Sequence, residues 1–266
     1  MSTAVALEVR RLSPSVGAEV SGIDVRGIDE ATFAAVHRAF LDAGMLLLRG
    51  QHLDPSELVS FTRRWGEPWA TPNLAPIEGT DNVYSIHNRG KARTVTETWH
   101  YDSTYAAAPP AISFLSAETI PEAGGDTMWA SQYAAYEALS PGMQRLIGGL
   151  RALHRDRSLY KLQGLDEPGP PSVHPVVRTH PETGRRALFV SGQVTGFEDM
   201  TEAESRPLFD QLYTHAGRPD FTYRHRWQEG DLVMWDNRCT MHYAVHDHGD
   251  APRQLYRTTI EGEVPR

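Results

Sequence analysis

The chain is a succession of short strand-like runs cut by turn residues, and this pattern limits the folds open to it more than any other feature. Met45–Leu48 is continuous and apolar. Residues 83–86, 111–120, 126–129, 173–179, 186–190, 221–227, 231–235 and 253–260 are rich in β-branched, aromatic and aliphatic residues, with Gly, Pro, Asn or Asp near most of their ends. Two more short strands are expected within residues 5–28, around Ser13-Pro14-Ser15, and residues 173–179 and 186–190 read as a hairpin about Pro181-Glu182-Thr183-Gly184. Helices are fewer. Asp29 caps one that runs to Ala43 and stops at Gly44; Asp54-Pro55-Ser56-Glu57 carries the capping pattern of a second. Ser131 and Ser140-Pro141 open two short ones, and residues 201–215 form another in which Pro207 either sits in the first turn or kinks the helix. There is no repeat, low-complexity tract or clear linker. The expectation is a β-rich α+β fold in a single domain over residues 1–266: a double-stranded β-helix (jelly roll) with helices packed on one outer face.

Within this frame, Trp99-His100-Tyr101-Asp102-Ser103-Thr104-Tyr105 stands out. Its composition suggests a strand, on which residues two apart share a face, so His100 and Asp102 would project together. An imidazole and a carboxylate so placed supply two of the three ligands of the two-His-one-carboxylate triad of non-haem Fe(II) oxygenases. A third ligand should come from a distant strand. The stretch from Gly230 to Tyr243 is the best source, and His242, His246 and His248 all qualify by spacing.

Arg253, Leu255 and Arg257 share one face of the last strand. Two guanidinium groups facing inward are costly unless anions meet them, and a bidentate arginine is the best protein partner for a carboxylate or sulfonate. Pairing with Asp231, Asp236 or Glu261 is the structural alternative. The formal net charge of −8 argues against a nucleic-acid or anionic-membrane surface, yet leaves room for a small anion held by one or two arginines. The single cysteine, Cys239, reads as a small buried side chain and fits a reducing compartment. No leader or membrane-spanning run is evident, so a cytoplasmic protein is expected.

Six ordered motifs then converge. They are Trp-His-x-Asp at 99–102, Pro-Pro-Ala-Ile at 109–112, Gly-Gly-Asp-Thr-x-Trp at 124–129, His-Pro-Val-Val-Arg-Thr-His-Pro-x-Thr-Gly at 174–184 with Leu-Phe-Val at 188–190, Trp-Asp-Asn-Arg-x-Thr-x-His-Tyr at 235–243, and Arg-x-x-x-Arg-x-Thr-Ile-x-Gly at 253–262. Together they resemble the taurine dioxygenase (TauD/TfdA) family of Fe(II)- and 2-oxoglutarate-dependent oxygenases, over about residues 5–262. The resemblance implies that His100, Asp102 and His242 bind Fe(II), with His246 and His248 outside the coordination sphere. It implies that Thr127 and Arg253 hold the distal carboxylate of 2-oxoglutarate, and that Arg257 holds an anionic group of the substrate. Fe(II), 2-oxoglutarate and O2 are thus the implied cofactor and co-substrates, and hydroxylation of an aliphatic C–H with release of succinate and CO2 the implied reaction. Asp102 argues against a halogenase, which needs a small residue there.

The departures are as informative. A His-Pro pair of the taurine enzyme's sulfonate site is matched here by Thr71-Pro72, a nearby tyrosine by Leu74, an asparagine by Thr96, and an apolar ring by Val194. Metal and co-substrate positions are kept while most substrate positions change, which points away from taurine. The expected substrate is a small-to-medium anion, larger and more apolar than taurine: a sulfonate, sulfate ester, aryloxy acid, or amino-acid or natural-product intermediate. Tyr105 is placed to pack against its body. A dimeric or tetrameric homo-oligomer is the expectation for assembly. The competing readings are a cupin-like non-oxidative metalloenzyme, which leaves Thr127 and Arg253 without a role, and a non-catalytic jelly-roll binding protein.

Overall fold

Side-chain alternation along three adjacent strands builds the architecture. The structure is a computed structural model that describes residues 7–71, 75–88, 96–156, 166–167 and 169–266. Its strands are β1 (Glu8–Arg11), β2 (Ala18–Ser21), β3 (Met45–Leu48), β4 (Tyr84–Asn88), β5 (Ile112–Thr119), β6 (Thr127–Ser131), β7 (Arg151–His154), β8 (Ser172–Pro175), β9 (Val177–Thr179), β10 (Arg186–Leu188), β11 (Val194–Phe197), β12 (Thr222–His225), β13 (Leu232–Asp236), β14 (Thr240–Ala244) and β15 (Arg253–Thr259). Its α-helices are α1 (Glu30–Ala43), α2 (Pro55–Arg63), α3 (Gln132–Glu137), α4 (Pro141–Ile147) and α5 (Glu202–Ala216). The large sheet runs β1-β2-β3-β13-β5-β15-β4 and is antiparallel except where β2 meets β3.

At its centre β3, β5 and β13 are buried on both faces, so their sequences read as continuous apolar runs. One set of alternate residues (Leu46, Leu48, Ile112, Phe114, Leu232, Met234) packs beneath α1 and α2. The other set (Met45, Leu47, Leu115, Ala117, Val233, Trp235) faces Trp129 of a second, three-stranded sheet, β12-β6-β14. Each Leu, Ile, Val, Phe or Met among them contributes about 1.5–3 kcal/mol when fully buried. A one-residue slip of β13 would exchange the two sets, so register is tightly specified. This stacking of the large sheet on β12-β6-β14, with α1 and α2 outside, is the jelly-roll arrangement expected. The remaining helices α3–α5 gather with β7, β10 and β11 in a second apolar cluster around Phe189 and Leu212.

The helix signals act as written. Asp29 and Asp54 cap α1 and α2, the latter with a complete capping box, and Gly44 ends α1 at φ 70° with its N–H on the Phe40 carbonyl. Ser131, Ser140 and Thr201 cap the other three. Pro207 lies beyond the first turn of α5, and the helix continues through it.

Three expectations fail. Residues 99–105 do not form a strand: only His100 makes a β-bridge, and the chain turns from Asp102 onward, with Ser103 at φ 47°. The Thr104 hydroxyl turns to Gln193 and His154 and that of Ser103 to Tyr105, contacts that a turn permits. Residues 173–179 do not form one strand of a hairpin. Val176 breaks the run, so β8 pairs with β7 while β9 pairs with β10. Finally β7, β11 and β14 had no counterpart among the expected strands. The Asn88–Thr94 stretch falls outside the described residues beyond Asn88, as do residues 163–165 and 168 of the Pro/Gly-rich segment 163–172. Among the described residues, no helix is long and apolar enough to cross a membrane.

Candidate metal centre and its cavity

Two histidines distant in sequence meet because a bridge joins their backbones. The His100 N–H donates to the His242 carbonyl at 3.0 Å, and the His242 N–H returns a bond at 2.9 Å. Their rings stand 4.1 Å apart, centroid to centroid. Asp102 opens the turn that follows, and its carboxylate swings back toward both rings. The potential ligand atoms of His100, Asp102 and His242 all lie within 4.8 Å of one another, and all three residues are buried.

The protonation states suit a metal. Burial lowers both imidazole pKa values; the Asp102 charge opposes this, and for His242 the neighbouring His100 reinforces it. Neutral rings with available lone pairs result. His100 Nδ1 lies 2.7 Å from the Thr98 carbonyl, which can only accept, so the proton sits on Nδ1 and Nε2 offers its lone pair. Burial alone would raise the Asp102 pKa. The Arg257 guanidinium beside it and the Ser113 hydroxyl outweigh this, so the group is held well below the usual carboxylate range. Two neutral imidazoles and one carboxylate on one side of an open space fit Fe(II) and related divalent first-row ions.

That space is a cavity of about 210 Å³ between the large sheet and β12-β6-β14. Ile86, Leu115, Trp235 and Leu255 give it an apolar wall; Thr96, Thr127, His246, Arg253 and Arg257 join the triad on the polar side. A larger hollow of about 350 Å³ beside Arg64, Trp65 and Arg238 contains no comparable ligand group among the described residues, so size alone misleads here.

Arg253 and Thr127 form a cradle. Arg253 Nε donates to the Gly125 carbonyl at 2.8 Å and Nη2 to Thr127 Oγ1 at 3.4 Å. Trp227 Nε1 donates to the same hydroxyl oxygen at 3.0 Å. With two N–H groups directed at its oxygen, Thr127 keeps its own proton to donate into the cavity. Gly125 makes the cradle possible: at φ +72°, a Cβ there would lie 2.8 Å from Arg253 Cδ. Burial lowers the Arg253 pKa to about 10, against the opposing charge of Asp126. A carboxylate placed between the guanidinium and the hydroxyl would offset that desolvation.

Arg257 lies two positions further along the same face of β15. Its Nη2 sits 2.8 Å from Asp102 Oδ1, yet the N–H is not aimed along that line, so the contact is an ion pair without a hydrogen bond. Its Nε and Nη2 are buried and find no hydrogen-bond acceptor. The alternative acidic partners are engaged elsewhere: Asp231 with Arg49 and His225, and Asp236 with Arg238 and His180.

The other candidates separate. Thr96 lines the cavity. Thr71 is buried, its N–H on Tyr84 Oη and its own hydroxyl without a partner. Leu74 lies outside the described residues. Tyr105 is not among the cavity-lining residues; its carbonyl accepts from Ser172 and its hydroxyl from Ser103. Val194 pairs with His154 in the second apolar cluster, away from the cavity. His246 lines the cavity outside the triad, while His248 Nδ1 bonds the Ala251 carbonyl. Cys239 is a free buried thiol beside Tyr133 and Ala187. Sequence reasoning missed Ser113, Gly125 and Trp227. A serine inside the buried run 111–117 was the available signal for the first.

Comparison with known proteins agrees with this site. The family model described as "Taurine catabolism dioxygenase TauD, TfdA family" matches residues 8–259. An alkylsulfatase of Acinetobacter baylyi is 36% identical over 97% of this chain and 86% of its own length. An alpha-ketoglutarate-dependent sulfate ester dioxygenase of Pseudomonas putida is 36% identical over 98% and 92%. A crystal structure of a taurine dioxygenase from Burkholderia xenovorans superposes with a TM-score of 0.87 at 38% identity, covering 98% and 92%. With a His-Asp-His group and a carboxylate cradle in one cavity, the chain belongs to the TauD/TfdA family and is an Fe(II)- and 2-oxoglutarate-dependent dioxygenase.

Proposed function

We propose that this dioxygenase hydroxylates an aliphatic C–H of a small-to-medium organic anion, with sulfate esters as the favoured class. The observation that carries this reading is Arg257: a buried guanidinium in the cavity wall, charge-paired to Asp102 but with Nε and Nη2 lacking any hydrogen-bond acceptor. The names of the alkylsulfatase and the sulfate ester dioxygenase support an organic sulfate. The apolar wall of Ile86, Leu115 and Leu255 suits an alkyl body rather than taurine's short polar chain.

In this reading His100, Asp102 and His242 hold Fe(II), and Arg253 and Thr127 hold the distal carboxylate of 2-oxoglutarate. The bound metal with 2-oxoglutarate and O2 supplies the C–H oxidation chemistry. The chain's own part is positional. Arg257 fixes the anion, Thr96 and the apolar wall orient the body, and burial of the triad keeps water away. Hydroxylation at the carbon bearing the sulfate oxygen yields a product that collapses to an aldehyde and inorganic sulfate. Assembly as an even-numbered homo-oligomer, a single domain over residues 1–266, and a cytoplasmic setting fitted to one buried thiol belong to the same proposal.

Succinate release across alkyl sulfates, sulfonates, aryloxy acids and amino acids tests it. Alkyl sulfates should give the highest turnover, and Arg257→Ala should weaken their binding roughly tenfold to a hundredfold, while 2-oxoglutarate decarboxylation without substrate persists. Loss of 2-oxoglutarate binding with unchanged sulfate-ester affinity would overturn the assignment of Arg257.

A further inference from the structure

A buried chain of hydrogen bonds ends on the back oxygen of Asp102. Trp235 Nε1 donates to Asn237 Oδ1 at 3.0 Å. Asn237 Nδ2 donates to Ser113 Oγ at 2.8 Å. Ser113 Oγ donates to Asp102 Oδ2 at 2.6 Å. Trp235, Asn237 and Ser113 are each at most 2% exposed. The direction of the chain is fixed by its first member. An indole N–H can only donate, so the Asn237 carbonyl oxygen must face it, and the amide NH2 must face Ser113. With that N–H directed at its oxygen, the serine turns its proton to the carboxylate. A carboxylate at the end can only accept. No link can be reversed without burying an unsatisfied group.

We infer that Ser113, oriented by Asn237 and Trp235, is a positioning residue that occupies Asp102 Oδ2 and so restricts the carboxylate to one oxygen, Oδ1, for the metal. The inference rests on Asp102 being a metal ligand, as proposed above. A carboxylate released from Ser113 is able to rotate and present both oxygens, filling a position that 2-oxoglutarate or O2 needs. Oδ1 already faces the histidine side: His242 Nε2 lies 3.7 Å from it.

The surrounding structure makes this a property of the side chain rather than of the loop. The turn after Asp102 is anchored separately. His174 Nε2 lies 2.8 Å from the Thr104 carbonyl and 3.1 Å from that of Ala106. The Thr104 hydroxyl lies 2.9 Å from His154 Nδ1 and 2.7 Å from Gln193 Oε1. Removing the Ser113 hydroxyl therefore frees a carboxylate torsion and leaves the backbone in place. Ser113 belongs to β5, whose ladder to β13 runs through the same position.

The test is binding of Co(II) alone to metal-free protein, read by calorimetry and by the visible absorption of the bound ion, whose intensity reports coordination number. Ser113→Ala should weaken binding roughly tenfold to a hundredfold and shift the spectrum toward higher coordination. Ser113→Thr, which keeps the hydroxyl, should restore both. Asn237→Ala should move both in the same direction by less, and the S113A/N237A double variant should match S113A alone, because Asn237 acts through Ser113. Asp102→Ala is the separate control: if it leaves Co(II) binding intact, the metal assignment itself fails. If D102A abolishes binding while S113A keeps wild-type affinity and spectrum, Ser113 is not a positioning residue. Additive losses in the double variant would overturn the relay in the same way.

Discussion

Two buried aspartates sit a short distance apart in this fold, and each has an arginine and a histidine beside it. Asp236, at the end of β13, is fully spent. Arg238 donates its backbone N–H and Nε to Oδ1 at 2.8 Å each and Nη2 to Oδ2 at 2.8 Å, and His180 Nε2 adds a bond to Oδ2 at 2.9 Å. Asp102 is half-spent. Ser113 takes Oδ2, while Oδ1 faces an arginine that makes no hydrogen bond to it and an imidazole 3.7 Å away. Both carboxyls are held well below the usual range against the opposing effect of burial, one chiefly by the Arg257 guanidinium, the other chiefly by Arg238 with the His180 hydrogen bond. Charge alone does not separate them. What separates them is whether the carboxylate's lone pairs are already used. A carboxylate with every lone pair met is part of the scaffold; one with an oxygen left toward two neutral imidazoles is a ligand.

Truncating each aspartate gives the largest contrast. Asp102→Ala should abolish succinate production; the Arg257 guanidinium it leaves borders the open cavity, so the stability cost in the metal-free protein should be the smaller of the two. Asp236→Ala leaves the buried Arg238 guanidinium with Glu182 alone and should cost about 3–5 kcal/mol, measured by urea unfolding. Equal stability losses would break the distinction between scaffold and ligand.

Arginines extend the comparison, since Arg238 is spent on Asp236 and Glu182 whereas Arg253 lines the cavity. Arg253→Ala should raise the 2-oxoglutarate dissociation constant roughly a hundredfold, and Arg253→Lys by less, because lysine keeps the charge but not the fork. Unchanged co-substrate affinity in R253A would remove Arg253 from the site. A smaller effect comes from behind it. Gly125→Ala places a methyl against Arg253 and puts a non-glycine residue at φ +72°, a backbone cost of roughly 1–2 kcal/mol. Co-substrate affinity should fall along with stability. A change in stability alone would show that the Gly125–Arg253 contact does not shape the cradle.

Much of this was legible in the sequence because motifs carry chemistry in their residue types. His100, Asp102, His242, Thr127, Arg253 and Arg257 could be picked out from ordered patterns, and the structure brings all six to one cavity. Helix caps were legible because they are local: Asp54 and Glu57 satisfy each other within one turn. What depends on tertiary context was not. Asp102 reaches the histidines through a turn rather than along a strand, since the bridge between His100 and His242 spans 142 positions and no local preference announces it. The strand β14 was hidden because Arg-Cys-Thr-Met-His reads as a polar turn until β6 lies beside it. Val194 was matched by family resemblance to a substrate contact, yet pairing with His154 turns it into the second apolar cluster. Ser113 was passed over because a serine in a buried strand declares its partner only once Asp102 is folded against it.

The central claim is that Asp102, unlike Asp236, closes a metal site with His100 and His242. Anaerobic titration of Fe(II) into metal-free protein tests it most directly, comparing wild type with His242→Ala and His246→Ala, the second a cavity histidine outside the triad. One Fe(II) per chain is expected in wild type and H246A, and none in H242A. Iron retained by H242A, or lost from H246A, would contradict it.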